Sequence, residues 1–123
     1  MDLGGRVTTG PTVGNRQVAE ATNQTIFREI NEWTSDQVAA AEGDDHIIDT
    51  YLCECGDQRC TAPIRLTRAE YEAIRSYPTR FALALDHEDP EVDTVLTENE
   101  RFATIDKSFG LGARIARASN PRR

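Results

Sequence analysis

Ile47-Ile48-Asp49-Thr50-Tyr51-Leu52-Cys53-Glu54-Cys55-Gly56-Asp57-Gln58-Arg59-Cys60-Thr61-Ala62-Pro63-Ile64-Arg65-Leu66 is the stretch on which the reading of the fold turns. Residues 47–53 are rich in β-branched and aromatic side chains and read as a strand. Residues 61–66 alternate Ala62, Ile64 and Leu66 with Pro63 and Arg65, a second strand with Pro63 on an edge. Only Glu54 to Cys60 lies between them. A parallel crossover needs a dozen residues or more, so the two strands must form an antiparallel hairpin with the cysteines at its tip.

The tip reads C-x-C-x4-C, and the chain has no other cysteine. Three thiols on one short loop bring their sulfurs together, and Gly56 lets the backbone curl toward a shared ion. Thiolates favour zinc or, as a second choice, an iron–sulfur cluster, and either takes a fourth ligand. A disulfide within the tip is disfavoured in a reducing compartment. Unrelated buried thiols would be expected to scatter through a core. The metal reading therefore leads, with zinc ahead.

Outward from the hairpin, residues 18–42 carry Ile26, Phe27, Ile30, Trp33 and Val38 at helical spacing with polar residues between. This predicts an amphipathic helix with Trp33 as a core anchor, a conceivable break after Trp33, and Gly43 as its stop. Thr67 and Glu70 stand in capping-box spacing and start a helix at Arg68 that Pro78 ends. Phe81, Leu83 and Leu85 mark a third strand. Asp89-Pro90 reads as an N-cap and first helical position, starting a helix at Pro90 whose inward positions are Val92, Val95 and Leu96. Arg101 to Asp106 reads as a fourth strand. The order is α-β-β-α-β-α-β, an α+β fold built on one mixed four-stranded sheet with helices packed on it. Residues 1–17 are expected to be a disordered leader and 110–123 a mobile basic tail, leaving 18–109 as the folded domain.

The 123 residues suit a single domain, with 38% hydrophobic and 28% charged residues. No stretch approaches the ~20 apolar residues of a membrane span, and the N-terminus lacks a secretory signal, so the expected location is cytoplasmic. The net charge is −7, but residues 18–109 hold 8 basic and 20 acidic side chains, a net of −12. A body that acidic repels phosphate backbones and argues against duplex nucleic acid as a partner. A hard-cation site at Asp86, Glu88, Asp89 and Glu91 is discounted, because strand-to-helix turns are often acidic for capping alone.

The fourth ligand constrains the topology. Cys53 ends the first strand and Cys60 precedes the second, so the site lies at one end of the hairpin. His87 follows the third strand. Were that strand parallel to the second, His87 would sit about 17 Å from Cys60, at ~3.3 Å per residue. Ligation therefore demands a third strand that runs parallel to the first and finishes beside the knuckle. The same geometry excludes His46, at the far end of the first strand. Asp57, Glu54 or water are the other possible occupants of the fourth position. The candidate metal set is Cys53, Cys55, Cys60 and His87.

The segments F-R-E-I-N-E (27–32), C-E-C-G-D-x-x-C (53–60), L-T-x-x-E-Y-E-A-I-R (66–75), H-E-D-P-E-V (87–92) and N-E-R-F-A-T-I-D-K (99–107) resemble a family of small uncharacterised bacterial proteins. Some of these are attached to signalling domains. The resemblance implies that the knuckle and the H-x-x-P-E segment act as one unit, and it carries no activity. Together with the absence of a legible nucleophile and base, these features point to a zinc-stabilised acidic interaction module in bacterial regulation or signalling, with a protein partner. The alternative is a metal-dependent enzyme or thiol redox sensor with an open or oxidisable site.

Overall fold

The computed structural model describes residues 13–42, 44–107 and 110–122, with residues 13–17 and Glu42 as backbone only. Helix α1 spans Val13–Glu42, followed by strands β1 (Ile48–Leu52) and β2 (Pro63–Thr67) and helix α2 (Arg68–Arg75). Strands β3 (Arg80–Leu83), β4 (Thr94–Glu98) and β5 (Ala103–Asp106) and helix α3 (Gly110–Ala118) complete the chain. The fold is α+β. The strands form two antiparallel sheets, a β1–β2 hairpin and a three-stranded sheet ordered β3-β5-β4. The expected single mixed sheet is thus corrected.

The hairpin closes as its loop length requires, with Cys53 N–H donating to the Ala62 carbonyl at 3.0 Å. Leu52 and Pro63 are the next opposed pair. In an antiparallel ladder that pair directs its backbone groups outward, which is where a proline is tolerated. The two sheets meet at one point. Glu54 N–H donates to the Ala82 carbonyl at 2.9 Å, and Ala82 N–H returns a bond to the Glu54 carboxylate at 2.9 Å. Strand β3 therefore finishes beside the knuckle without joining the hairpin sheet.

The capping box at Thr67 is present in full: Thr67 Oγ1 accepts from Glu70 N–H at 3.0 Å, and Glu70 Oε1 accepts from Thr67 N–H at 2.8 Å. Tyr71 packs inward and stacks on Tyr51 with ring centroids 4.8 Å apart. Ile64, Leu66, Phe81, Leu83 and Ile105 fill the core around them.

Four expectations are corrected. Helix α1 runs unbroken and presents the opposite face to the core. Ala21, Gln24, Arg28, Asn31 and Ser35 are buried, whereas Trp33 is 63% exposed, Ile26 49% and Ile30 43%. The reason is hydrogen bonding. Asn31 donates to the Leu52 carbonyl at 2.8 Å and accepts from Leu52 N–H at 2.9 Å, so its amide completes the outer edge of β1. Arg28 donates to the carbonyls of Pro78 (2.7 Å) and Ala116 (3.0 Å) and lies over the Phe81 ring. The bonds of Asn31, of the Arg28 guanidinium tips and of Ser35 offset the burial of this polar face, while the Gln24 amide and Arg28 Nε are buried without a hydrogen-bond partner.

The helix expected at 90–96 is a single turn. Val92 and Asp93 N–H groups bond the Asp89 carbonyl, and the chain then enters β4. Thr94, Val95 and Thr97 favour extended backbone, and one turn is too short a nucleus to propagate. The expected mobile tail is the third correction: 110–118 is helical, with Gly112, Ala113 and Ala116 buried. Arg122 forks onto Glu32 (2.9 Å) and Glu72 (2.8 Å), and Lys107, the chain's single lysine, pairs with Asp93 at 2.8 Å behind Gly112. The expected leader is the fourth, since 13–17 belong to α1. Residues 1–12 and Gly43 lie outside the described residues.

Candidate metal centre

Each cysteine is placed by its neighbours. Cys53 is anchored by the last bond of the hairpin. At Gly56 the chain turns with φ +86°, and a Cβ there would meet the Glu20 carbonyl oxygen at 2.7 Å and Gln24 Cγ at 3.0 Å. Only glycine fits this contact, both for its φ and for its proximity to α1. Asn23 Nδ2 donates to the Gly56 carbonyl at 3.0 Å and ties the tip to the helix. Asp57 then caps the last turn, accepting from Arg59 N–H through Oδ1 at 2.9 Å and from Cys60 N–H through its carbonyl at 2.9 Å. Its carboxylate serves the turn.

His87 arrives from the other sheet. After β3 the chain reverses at Asp86, which adopts φ +66°, and His87 N–H bonds back to the Ala84 carbonyl at 3.2 Å. Aspartate is among the few non-glycine residues that tolerate this left-handed conformation. The turn brings His87 Nδ1 to 3.5 Å from Cys53 Sγ and 3.6 Å from Cys60 Sγ. The ligand atoms of Cys53, Cys55, Cys60 and His87 all lie within 4.8 Å of one another, close enough to hold a metal ion. Cys53 and Cys55 are buried, Cys60 is half-buried and His87 is exposed. The three thiols are free of disulfides. His46 is exposed and outside this group, its N–H bonded to Asp44 at 2.9 Å.

The surroundings pull the three thiols in opposite directions. Backbone N–H groups reach all three sulfurs: Ala84 to Cys53 at 3.2 Å, Asp57 to Cys55 and Ala62 to Cys60. Such donors stabilise negative sulfur. The Cys55 thiol is pulled down to about 5 by the hydrogen bond from Cys53, aided by Asp57 N–H and the His87 ring. Cys53 is pushed up by the same shared hydrogen bond and by burial. Burial also pushes up Cys60.

Glu54, which the sequence offered only as one alternative for the fourth position, has a structural role that sequence reasoning missed. It points away from the sulfurs and is fully buried. Its carboxylate accepts from Asn31 Nδ2 at 2.8 Å, the Tyr71 hydroxyl at 2.9 Å and Ala82 N–H at 2.9 Å. Burial pushes its carboxyl above the ordinary range. Glu54 thereby locks the C-x-C segment to α1, α2 and β3 at once. The only sequence signal was an acid between two cysteines at the end of an apolar strand, where it could not stay solvated.

Beside the cluster lies a cleft of 1190 Å³ bordered by Cys55, Cys60 and His87 and rimmed by Glu20, Asp57, Asp86, Glu88, Asp89 and Arg59. None of the helices among the described residues is long and apolar enough to cross a membrane. No protein-family model, curated protein or solved structure matches the chain.

Proposed function

We propose that Cys53, Cys55, Cys60 and His87 bind zinc and that the metal staples a small acidic interaction module. The observation that carries this reading is the sulfur–nitrogen spacing. Zinc bonds of ~2.3 Å to sulfur and ~2.05 Å to nitrogen, at the tetrahedral angle, separate the two ligand atoms by about 3.6 Å. The two measured separations are 3.5 and 3.6 Å. Four protein ligands close a structural site, and a bound ion would join the hairpin to the loop after β3, two segments otherwise linked through Glu54 and Cys53. Placing positive charge among the thiols would convert all three to thiolates.

The acidic body favours a basic protein surface as partner over a nucleic acid. A regulatory role in bacterial signalling rests on the sequence resemblance and belongs to the same proposal. The cleft favours a second reading. His87 and Cys60 are the least buried of the four ligands and border open space. Loss of either bond would open a coordination position for chemistry, or leave a thiol for oxidation.

Elemental analysis with an absorbance spectrum of the purified protein tests the reading. One zinc per chain and a colourless solution are expected, with unfolding on chelation. Visible charge-transfer bands would replace zinc with iron–sulfur. Protein without stoichiometric metal, and with three freely titrating thiols, would reject the staple.

A further inference from the structure

The face of α1 that turns away from the core has an order of its own. Ala19, Asn23, Ile26, Ile30, Trp33, Gln37 and Ala40 follow one another at alternating steps of 4 and 3 residues. That is the seam by which one helix packs along another. Six of the seven are exposed, and Asn23 is half-buried. None is charged, in a chain with 28% charged residues. The seam is also symmetric about Ile30. Outward in either direction come a large apolar residue (Ile26, Trp33), an amide (Asn23, Gln37) and an alanine (Ala19, Ala40).

We propose that α1 pairs through this seam with α1 of a second copy of the chain, antiparallel about a two-fold axis at Ile30. An isologous contact requires a surface complementary to itself when reversed, and this one is. Ile30 meets its own counterpart, Ile26 packs against Trp33, Gln37 comes opposite Asn23, whose Nδ2 is already held by the Gly56 carbonyl, and the two alanines let the helix ends approach. No charge is buried. The closest charge to the axis is Glu29, which meets its counterpart at the rim.

The area sets the strength. The seam is about 32 Å long at ~1.5 Å per residue, and one third of the helix circumference, with its water layer, gives about 450 Å². Two copies bury about 900 Å², below the 1,200–2,000 Å² of standard interfaces. The dimer is accordingly weak and concentration-dependent, with a Kd on the order of 10–100 μM. Ala19 and Asn23, at one end of the seam, also border the cleft beside the cysteines, but the inference does not rest on the metal: the zinc analysis and the association measurement can each fail alone.

The test is sedimentation of the full-length protein as purified from about 1 to 200 μM, with the emission of Trp33, the chain's single tryptophan, followed on dilution. The mass should rise from 13.7 kDa toward twice that value, with Trp33 emission shifting blue in step. Ile30→Asp should raise Kd at least about 30-fold by placing two carboxylates at the axis, while Leu96→Asp, on the exposed β4 edge, leaves it unchanged. Glu29→Gln should lower Kd roughly 3-fold, and added salt should also lower it by screening the Glu29 pair. Four results would overturn the proposal. These are a monomer at every concentration, blue emission that ignores dilution (a cover from the same chain), a dimer that survives Ile30→Asp, and association that weakens with salt. Far-UV circular dichroism confirms that each variant is folded, and the dilution series of the unaltered protein stands without any substitution.

Discussion

Replacing Asn31 with alanine should cost far more stability than replacing Trp33, a reversal of what hydrophobicity alone suggests. Asn31 is fully buried and makes three hydrogen bonds, two to the Leu52 backbone and one to Glu54, all between 2.8 and 2.9 Å. Asn31→Ala leaves the outward N–H and C=O of half-buried Leu52 unpaired beneath α1 and removes one donor from a buried carboxylate. At about 1–1.5 kcal/mol for each lost bond, the cost is about 3–4 kcal/mol. That is a large share of the ~5–15 kcal/mol that small domains possess. Trp33 is 63% exposed. Its truncation loses little buried area and gains helix propensity, so the change should stay within about 1 kcal/mol. Urea unfolding at low micromolar protein, followed by far-UV circular dichroism, measures both. Equal slopes would show that the midpoints report stability alone. Should Trp33→Ala prove the costlier of the two, the face assignment of α1, and with it the exposed seam, would be wrong.

His87→Ala should weaken zinc retention by about 100-fold or more, because loss of an outer-shell partner alone costs 10–100-fold; His46→Ala should leave it unchanged, and competition with a chromogenic chelator reads both. Truncation after Phe109 should lower stability by about 3–5 kcal/mol, because Arg28 loses the Ala116 carbonyl and Lys107 loses its packing on Gly112; thermal melts within a degree or two of the full chain would contradict this. Acid should unfold the protein partly through two carboxyls: the Arg101 fork holds Glu70, and the Arg122 fork holds Glu72, below the ordinary 4.5. Their stabilisation is complete above that value and is lost as pH falls through the depressed folded values, so Arg122→Ala should flatten the acid limb of stability against pH.

The hairpin, the helix after Thr67 and the grouping of Cys53, Cys55, Cys60 and His87 were legible because each rests on a local rule or a length limit. Seven residues cannot make a crossover, Thr67 and Glu70 cap each other, and three cysteines within eight residues must share a loop. His87 was reachable because a ligand distance excludes most strand directions. Pattern reading failed where a local signal competes with a distant partner. Asp89-Pro90 is a sound helix start that the β-branched residues after Asp93 override. Gly110 and Gly112 look like a release of the chain, yet Gly112 is needed for Lys107 to lie against α3.

The sequence by itself determined the local architecture: the knuckle with its thiolate chemistry, the capped helix, most strands and the acidic body. Backbone sterics and short-range hydrogen bonds act over a few residues and leave their record in residue type and spacing. Only the tertiary structure decided which face of α1 is inside. Apolar spacing would have turned Ile26, Ile30 and Trp33 inward, but the outer edge of β1 and the carbonyls of Pro78 and Ala116 needed donors that Asn31 and Arg28 supply. The partners of Asn31 and Arg28 lie 21 to 91 residues away. A pairing over that separation leaves no period in the sequence, and satisfying buried backbone groups outweighed the transfer of three apolar side chains that a second copy of the chain can still cover.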